Sequence, residues 1–303
     1  MISRRAFLRF LTGLFAAGAA TSAYGIFIEP LFRLRIQTYA LTPPGWPRGL
    51  KLRLAIVADV HACEPWMNAQ RIRAIVAATN ALNADCILLL GDYIGTHRFQ
   101  TPTPPADWAR ALDALKAPLG VHAVLGNHDW WGDKEAMQRQ SGPTFVHRAF
   151  SKTRIKLYEN DVLRLEKDGQ PFWLAGLGDQ VAFVSVRGWR HPQRGVDDLP
   201  GTLGKITDDA PVILMAHEPD IFVRVPPRVA LTISGHTHGG QIRILGRAPV
   251  VPSRYGERFA YGHIVEEARN LIVSGGLGCS GIPVRIGSPP EIVVIELGGE
   301  AGA

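Results

Sequence analysis

The chain has little cysteine, no internal repeat and no cluster of basic residues, and each absence narrows its class. Three of the 303 residues are cysteines, and their odd number and wide spacing exclude a disulfide framework. The formal net charge is +6, but no basic stripe is interleaved with aromatic residues, so we expect no nucleic-acid partner. Because 46% of the residues are hydrophobic, the chain can bury a substantial core, and we expect one folded domain.

The first residues combine consecutive arginines with a long apolar segment. Arg4 and Arg5 precede an uncharged stretch, residues 10–28, that is rich in alanine and glycine. This pattern resembles a twin-arginine export signal and implies transfer across the inner membrane by the twin-arginine translocase; an ordinary amphipathic helix is the alternative. Small residues at 17–23 would permit cleavage, although the apolar stretch is nearly long enough to span a bilayer. We predict residues 1–28 as a signal or membrane anchor, with the protein periplasmic or anchored to the inner membrane facing outward.

Buried strands and helices alternate in the rest of the chain. We predict residues 29–50, which end in a proline-rich stretch, as a linker and residues 51–298 as the folded domain. Apolar runs beginning at Leu52, Cys86 and Val121 are separated by helical patterns, which predicts a parallel sheet with helices on its faces. The second half contains more strands and at least one hairpin. The count favours an α/β fold, a four-layer α-β-β-α sandwich of two mixed sheets.

Residue types that bind metals follow several of these strands. Ligand sites of such sheets lie beyond the carboxyl ends of the strands, which is where these residues fall. Each motif alone is a weak signal, since an aspartate or histidine at a strand end is often only a cap, and their joint order carries the prediction. The five motifs are Asp59-Val60-His61, Gly91-Asp92, Gly126-Asn127-His128-Asp129, His217, and Gly235-His236-Thr237-His238-Gly239-Gly240.

Taken together and in this order, the five motifs resemble the calcineurin-like metallophosphoesterase superfamily over roughly residues 52–297. The Gly-His-Thr-His-Gly-Gly-Gln form and the segment 276–285 are similar, more narrowly, to a bacterial exported phosphodiesterase branch. Some members of that branch hydrolyse the pyrophosphate of UDP-2,3-diacylglucosamine. Many of them have Ser-Arg-Gly where this chain has Ser274-Gly275-Gly276, a departure that concerns substrate contacts rather than metal ligands.

The resemblance implies a pair of divalent cations and assigns their ligands by position. Mixed carboxylate, imidazole and amide ligands suit Mn, Fe or Zn. Two such cations acidify a bridging water and stabilise the charge of a phosphoester transition state. Asp92 would bridge them, and the remaining ligands would be Asp59, His61 and His238 for one cation and Asn127, His217 and His236 for the other.

Further residues have less specific signals. The resemblance assigns His128 to stabilising the phosphoryl oxygens or protonating the leaving group. Asp129 either orients His128 or caps its loop. Trp130 and Trp131 either wall the site or pack in the core. Arg254, Arg258 and Arg285 either grip a substrate phosphate or are solvated surface residues. We interpret the other histidines as structural or exposed; they are His97, His122, His147, His191 and His263.

We therefore expect a dimetal-dependent hydrolase that cleaves a phosphodiester or pyrophosphate bond with a metal-bridging hydroxide, on a cell-envelope or lipid-linked substrate. One alternative is a UDP-2,3-diacylglucosamine pyrophosphatase of lipid A synthesis, although that substrate is made on the cytoplasmic side. The other alternative is a non-catalytic metal-binding module on the same fold. The complete set of expected ligands argues against such a module.

Overall fold

Two six-stranded sheets and one two-stranded sheet organise the computed structural model, which describes residues 3–97, 99–184 and 194–299. His191, which we interpreted as structural or exposed, lies outside these ranges. The strands are β1 (Arg35–Leu41), β2 (Leu52–Val57), β3 (Cys63–Glu64), β4 (Cys86–Leu90), β5 (Thr101–Pro102), β6 (Val121–Val124), β7 (Lys156–Tyr158), β8 (Asp161–Lys167), β9 (Gln170–Gly176), β10 (Val212–Met215), β11 (Val229–Ser234), β12 (Gly262–Glu266), β13 (Arg269–Val273) and β14 (Glu291–Leu297).

Both large sheets are mixed. The first has the order β1-β14-β2-β4-β6-β7, and its strands are parallel except where β14 meets β2. The second has the order β12-β13-β11-β10-β9-β8, with antiparallel hairpins at both edges. The helices are α1 (Arg4–Ala23), α2 (Glu29–Phe32), α3 (Ala69–Asn80), α4 (Pro105–Leu112), α5 (Asn127–Trp131), α6 (Lys134–Arg139), α7 (Phe145–Phe150) and α8 (Leu199–Leu203).

The central strands are apolar throughout because both of their faces are buried. In β2, Leu54 and Ile56 belong to the core between the two sheets. Ala55 and Val57 belong instead to the core beneath α3, α4 and α7. A third core covers the outer face of the second sheet, where the outer layer is thin and contains α8 and a 3₁₀ turn, Pro219–Arg224. The predicted α/β fold with two mixed sheets is confirmed.

The prediction that residues 29–50 form a linker is wrong. Residues 35–41 form β1, which pairs in parallel along its whole length with β14. Trp46 is buried, and its indole N–H donates to the carbonyl oxygen of Leu50 at 2.7 Å. The sequence pattern does not predict β1, because β1 is a half-exposed edge strand whose partner lies more than 250 residues away in the chain.

The N-terminal segment is one continuous helical rod. A π-helical stretch, Tyr24–Ile28, joins α1 to α2, so the helix runs from Arg4 to Phe32. By length and composition it is able to cross a membrane. None of the side chains of α1 is buried, whereas Gly25, Glu29 and Pro30 are buried against the domain. Signal sequences and membrane anchors both include N-terminal helices of this length and composition.

Candidate metal centre and active site

The candidate site lies where strands of both sheets end. Beyond β2, β4 and β11 the chain turns sharply, and five residues at these turns have left-handed backbone conformations. Their φ angles are 53° at Asp59, 47° at His61, 57° at Asp92, 69° at His236 and 54° at His238. Non-glycine residues rarely adopt this conformation, although Asp and His tolerate it better than most. Strained backbone of this kind clusters at functional sites.

One group of donors surrounds the first of two adjoining positions. The Nε2 atoms of His61 and His238 lie 3.0 Å apart. Asp92 Oδ2 is 3.4 Å from His61 Nε2, and Asp59 Oδ1 is 3.5 Å from His238 Nε2. These four side chains are buried, and each places one donor atom within 4.8 Å of the others. The group therefore has the spacing of ligands around a single cation.

A second group shares Asp92 with the first. Asp92 Oδ2 lies 3.3 Å from His217 Nε2, and Asp92, His217 and His236 again place donor atoms within 4.8 Å of one another. The side chain of Asn127, at the start of α5, brings its Oδ1 to 2.8 Å from His236 Nδ1. Two donor groups thus meet at one carboxylate.

The hydrogen bonds of the histidines identify which nitrogens are free to bind a cation. His61 Nδ1 lies 3.0 Å from the carbonyl oxygen of Ile94, and His217 Nδ1 lies 2.5 Å from that of Leu90. A carbonyl accepts only from a protonated nitrogen, so in the neutral form of each imidazole Nε2 carries the lone pair. His217 Nε2 is buried and has no hydrogen-bond partner among the described residues. Lone pairs that converge in this way fit divalent cations, and the buried Asp/His cluster suits a dinuclear divalent metal site.

Burial sets the charge states around the site. It lowers the pKa of His61 to about 3 and that of His236 to about 4, so both imidazoles are neutral near pH 7, the form that binds metals. Burial raises the pKa of Asp59 to about 7. Burial also disfavours charge on His217, but the Asp92 carboxylate outweighs it and raises the pKa of His217 well above its ordinary value. Protons and cations therefore compete for these donors.

Glycines allow the strand ends to approach each other. A Cβ atom at Gly126 would lie 2.4 Å from Asp92 Oδ1. At Gly91, where φ is +90°, a Cβ would lie 2.5 Å from the backbone nitrogen of Gly126 and 2.7 Å from His217 Nδ1. Any larger residue at either position would push apart the shared carboxylate and the histidine beside it.

His128 faces the same space as the donor groups. Its Nε2 lies 3.1 Å from Ser280 Oγ and 3.9 Å from Asp92 Oδ2, and its Nδ1 contacts the hydroxyl of Thr96. Its side chain is 13% exposed, so one edge of the ring is open to the cavity. Two hydroxyl groups thus hold an imidazole beside the donors, in reach of a bound molecule.

Asp129 does not orient His128, and that interpretation of the sequence is wrong. Asp129 Oδ2 accepts the backbone N–H groups of Asp92 and Gly126, each at 2.9 Å, and Oδ1 accepts that of Tyr93 at 2.9 Å. Its carboxylate therefore joins the loop after β4 to the loop after β6. The alternative interpretation, a loop-capping aspartate, describes its contacts.

The three arginines singled out from the sequence have three different environments. Arg254 lines the cavity beside the donor groups. Arg258 lies outside the lining of that cavity and forms a two-point ion pair with Glu266 on the surface. Arg285 is fully buried, and its guanidinium donates to the carbonyl oxygens of Gly275, Gly278 and Ser288. Arg258 and Arg285 are therefore not placed to grip a substrate phosphate, and only Arg254 remains a candidate.

Arg285 instead supports the first donor group from behind. One of its terminal nitrogens lies 3.2 Å from His238 Nδ1. Gly275 lies nearby and donates its N–H to Glu291 at 2.8 Å. Glycines 239 and 240 have φ angles of 59° and 81° and make the predicted sharp turn after His238.

A cavity of about 430 Å³ opens beside the two donor groups. Trp131 forms part of its wall, whereas Trp130 is fully buried. Its lining also includes residues that sequence reasoning missed, namely Thr96, His97, Val181, Glu218, Asp220, Pro252, Ser280 and Gly281. His97, which we interpreted as structural or exposed, contacts Cys63 Sγ and the ring of Trp66 and also lies on the cavity wall. Thr96, His97, Glu218 and Asp220 had no motif of their own, and only their position near Asp92 or His217 in the chain hinted at them. Ser280 and Gly281 belong to the segment 276–285, which the sequence analysis noted without giving either residue a role.

Three other histidines have structural contacts, as predicted. His122 lies between Tyr158 and the carbonyl of Leu119. His147 forms part of the cap of α7. His263 contacts Asn270 across the β12–β13 hairpin.

A family model described as calcineurin-like phosphoesterase matches residues 52–240, more than half of the chain. The chain belongs to this family. The predicted superfamily and enzyme class are therefore confirmed: the protein is a metal-dependent phosphoesterase, and a phosphoester is its implied substrate.

The relatives match this metallophosphoesterase over different shares of their length. The "uncharacterized metallophosphoesterase YkuE" of Bacillus subtilis (strain 168) is 27% identical over 98% of each chain. An "uncharacterized metallophosphoesterase" of Aquifex aeolicus (strain VF5) is 27% identical over 88% of this chain and 93% of its own. A "transmembrane protein with metallophosphoesterase domain" of Danio rerio is 29% identical over 81% of this chain and 53% of its own. This chain thus spans about half the length of the Danio rerio protein.

Proposed function

We propose that this metallophosphoesterase hydrolyses a phosphodiester or pyrophosphate bond in a lipid-linked or other cell-envelope substrate. The observation that carries the proposal is the pair of buried donor groups that share Asp92 beside an open cavity. In this assignment Asp92 would serve both cations, Asp59, His61 and His238 would complete the first set of ligands, and Asn127, His217 and His236 would complete the second.

The residues around the cavity have complementary tasks. Bound at this site, two divalent cations supply positive charge for the phosphoryl oxygens and make a water more acidic. His128, held by Ser280 and Thr96, donates a proton to the oxygen that leaves phosphorus, so that water and a phosphodiester yield a phosphomonoester and an alcohol. Arg254 adds a fixed positive charge on the cavity wall for the remaining phosphate oxygens.

The hydrolytic assignment is tested with the purified chain loaded with Mn. Hydrolysis of bis(p-nitrophenyl) phosphate, its monoester, UDP-2,3-diacylglucosamine and phospholipids is compared. The Asp92→Asn variant should lose turnover and bind less Mn at both positions, because one carboxylate serves both. Asp209→Asn, an exposed change on the surface, is the matched control. An unchanged metal content in Asp92→Asn would contradict the shared ligand.

We further propose that the twin-arginine translocase exports the domain and that the N-terminal helix holds it at the outer face of the inner membrane. The paired Arg4 and Arg5, the length of the helix and the membrane-spanning relative of Danio rerio support this location. Replacing both arginines with lysine should block export, and the same double change at the exposed Arg48 and Arg110 should not. Normal export of the first variant would argue for another route.

A further inference from the structure

A small hairpin near the metal centre carries a leucine at its tip. Backbone hydrogen bonds between Ile244 and Arg247 close a two-residue turn, Leu245-Gly246, with φ angles of 51° and 82°. The side chain of Leu245 is 99% exposed, and that of Ile244 is 62% exposed. An apolar residue thus occupies the most accessible point of the hairpin.

Two other hairpins of the chain have turns with similar backbone angles. Asp168-Gly169 joins β8 to β9 with φ angles of 51° and 75°, and Glu267-Ala268 joins β12 to β13 with 49° and 64°. Turns with two positive φ angles favour Asn, Asp and Gly. Leucine at such a position is conformationally unfavourable. Because its side chain is fully exposed to water, it also contributes no hydrophobic free energy to folding. The residue at this tip is suited to a non-aqueous surrounding.

The hairpin arises where the N-terminal helix leaves the domain. Ile242 pairs with Ile286, and the backbone N–H of Arg243 donates to the carbonyl oxygen of Ile286 at 2.7 Å. Ile286 in turn packs on the helix, where a Cβ at Gly25 would lie 2.8 Å from its side chain. The helix, the strand segment at Ile286 and the hairpin are therefore consecutive neighbours.

The exit point of the helix is fixed relative to the metal centre. Glu29 is buried, and its carboxylate accepts the backbone N–H groups of Gly287 at 3.1 Å and Ser288 at 2.8 Å. The Ser288 hydroxyl donates to the carbonyl oxygen of His238 at 3.0 Å. Two hydrogen-bonding steps thus connect the helix to a metal-site histidine.

An apolar cavity lies between the hairpin and the metal centre. It has a volume of about 350 Å³, and Ile242, Val250 and Ile282 belong to its lining. Ser280 and Gly281 line both this cavity and the one beside the donor groups. Val250 and Ile282 are 68% and 47% exposed, so the outer rim of the cavity is apolar as well.

We propose that the hairpin of residues 242–247 inserts Leu245 into the surface of the lipid bilayer that α1 spans. The inference rests on the proposed retention of α1 in the membrane, and the continuity of hairpin and helix selects the bilayer as the partner. Arg247 beside the tip is exposed and forms no ion pair with any described residue, so it is available to anionic headgroups. The apolar cavity then opens at the bilayer, and an acyl chain of a lipid phosphoester reaches the metal centre without crossing water.

The test places a fluorescent probe at the tip of the hairpin. The chain's own cysteines, Cys63, Cys86 and Cys279, are all buried, so a thiol reagent labels an added cysteine selectively. The full chain with Leu245→Cys is labelled with an environment-sensitive dye and reconstituted into phosphatidylcholine–phosphatidylglycerol vesicles. Glu267→Cys, at the tip of a hairpin with similar φ angles, is the matched control.

We expect a blue-shifted emission at position 245 and several-fold stronger quenching by spin-labelled lipids than at position 267. Equal exposure of the two probes to water would overturn the inference. So would shielding of position 245 that depends on protein concentration in detergent, since a second copy of the chain would then cover the tip.

A second variant separates this inference from the proposed function. Leu245→Asp should lower hydrolysis of vesicle-borne phosphodiesters several-fold and leave hydrolysis of bis(p-nitrophenyl) phosphate unchanged. If the probe inserts but no Mn-dependent hydrolysis occurs, the proposed function fails and the bilayer contact stands. If hydrolysis is normal but the probe stays in water, only the bilayer contact is refuted.

Discussion

Replacing Asp129 with Asn separates a structural role of this residue from a catalytic one. The carboxylate of Asp129 accepts three backbone N–H groups, two at Oδ2 and one at Oδ1. An amide has only one acceptor oxygen. Its most favourable orientation keeps the bonds to Asp92 and Gly126 and turns the NH₂ group toward the N–H of Tyr93. One buried donor then faces another donor.

The cost follows from that single lost bond. A buried donor left without a partner destabilises a protein by about 1–3 kcal/mol. With an unfolding entropy of about 2.1 cal/mol/K per residue, each kcal/mol lowers the melting temperature of a chain of this size by about 1.6 °C, so we expect a decrease of about 2–5 °C. Thermal unfolding is measured after chelation, because bound cations would stabilise both proteins by linkage and obscure the difference.

His128→Ala is the matched comparison. It removes the imidazole and leaves the three caps in place, so we expect about 10²–10⁴-fold slower hydrolysis with little change in melting temperature. The reasoning would be refuted if chelated Asp129→Asn melted like the parent chain while its hydrolysis fell as far as that of His128→Ala. Such a result would restore the role of Asp129 in orienting the imidazole.

Three further changes probe the supports of the centre. Arg285→Gln should destabilise the chain by at least about 3 kcal/mol in urea unfolding and weaken Mn binding, because several buried carbonyls lose their donor. Its control, Arg258→Gln at a surface ion pair, should change stability by less than about 1 kcal/mol. Equal effects of the two variants would contradict these roles. Glu29→Gln should cost about 1–3 kcal/mol in the same assay, since one acceptor oxygen of the helix lock is lost, and unchanged stability would show that the helix is held otherwise. Chelation should abolish hydrolysis and lower the melting temperature, and Mn at 100 times its Kd should restore about 2.7 kcal/mol per site, whereas a melting temperature insensitive to Mn would contradict the metal centre.

The parts of the site that could be predicted are those whose signal is local. Asp92 and His217 each lie two residues beyond the end of an apolar strand, β4 or β10, and the packing of the two sheets brings these strand ends together. The role of Arg285 depends on carbonyl oxygens presented by a folded loop, and no residue type in the sequence marks a carbonyl acceptor. For β1, the alternation of side chains was weak because only one face of this edge strand packs on the domain. Long-range pairing and backbone acceptors therefore decided what the sequence left open.

Left-handed backbone at five of the proposed ligands raises the question of what holds the loops in place. Each such residue costs on the order of 1 kcal/mol or more. Hydrogen bonds between loops oppose this cost: the N–H of Asp59 donates to Gly91, that of His61 donates to Asp92, and that of His236 donates to the Asp59 carboxylate. The last bond joins the two sheets. These hydrogen bonds within the polypeptide therefore restrain the loops.

It follows that chelation should leave these loops ordered. Amide hydrogen exchange measured with and without Mn should show slow exchange of the Asp59, His61 and His236 amides in both states, because their acceptors are protein groups and not cations. Exposed turn amides, such as that of Gly169, serve as the fast-exchanging control. If chelation brought the three amides to the rate of that control, the cations would be organising the loops, and the donors could not be considered pre-arranged for binding.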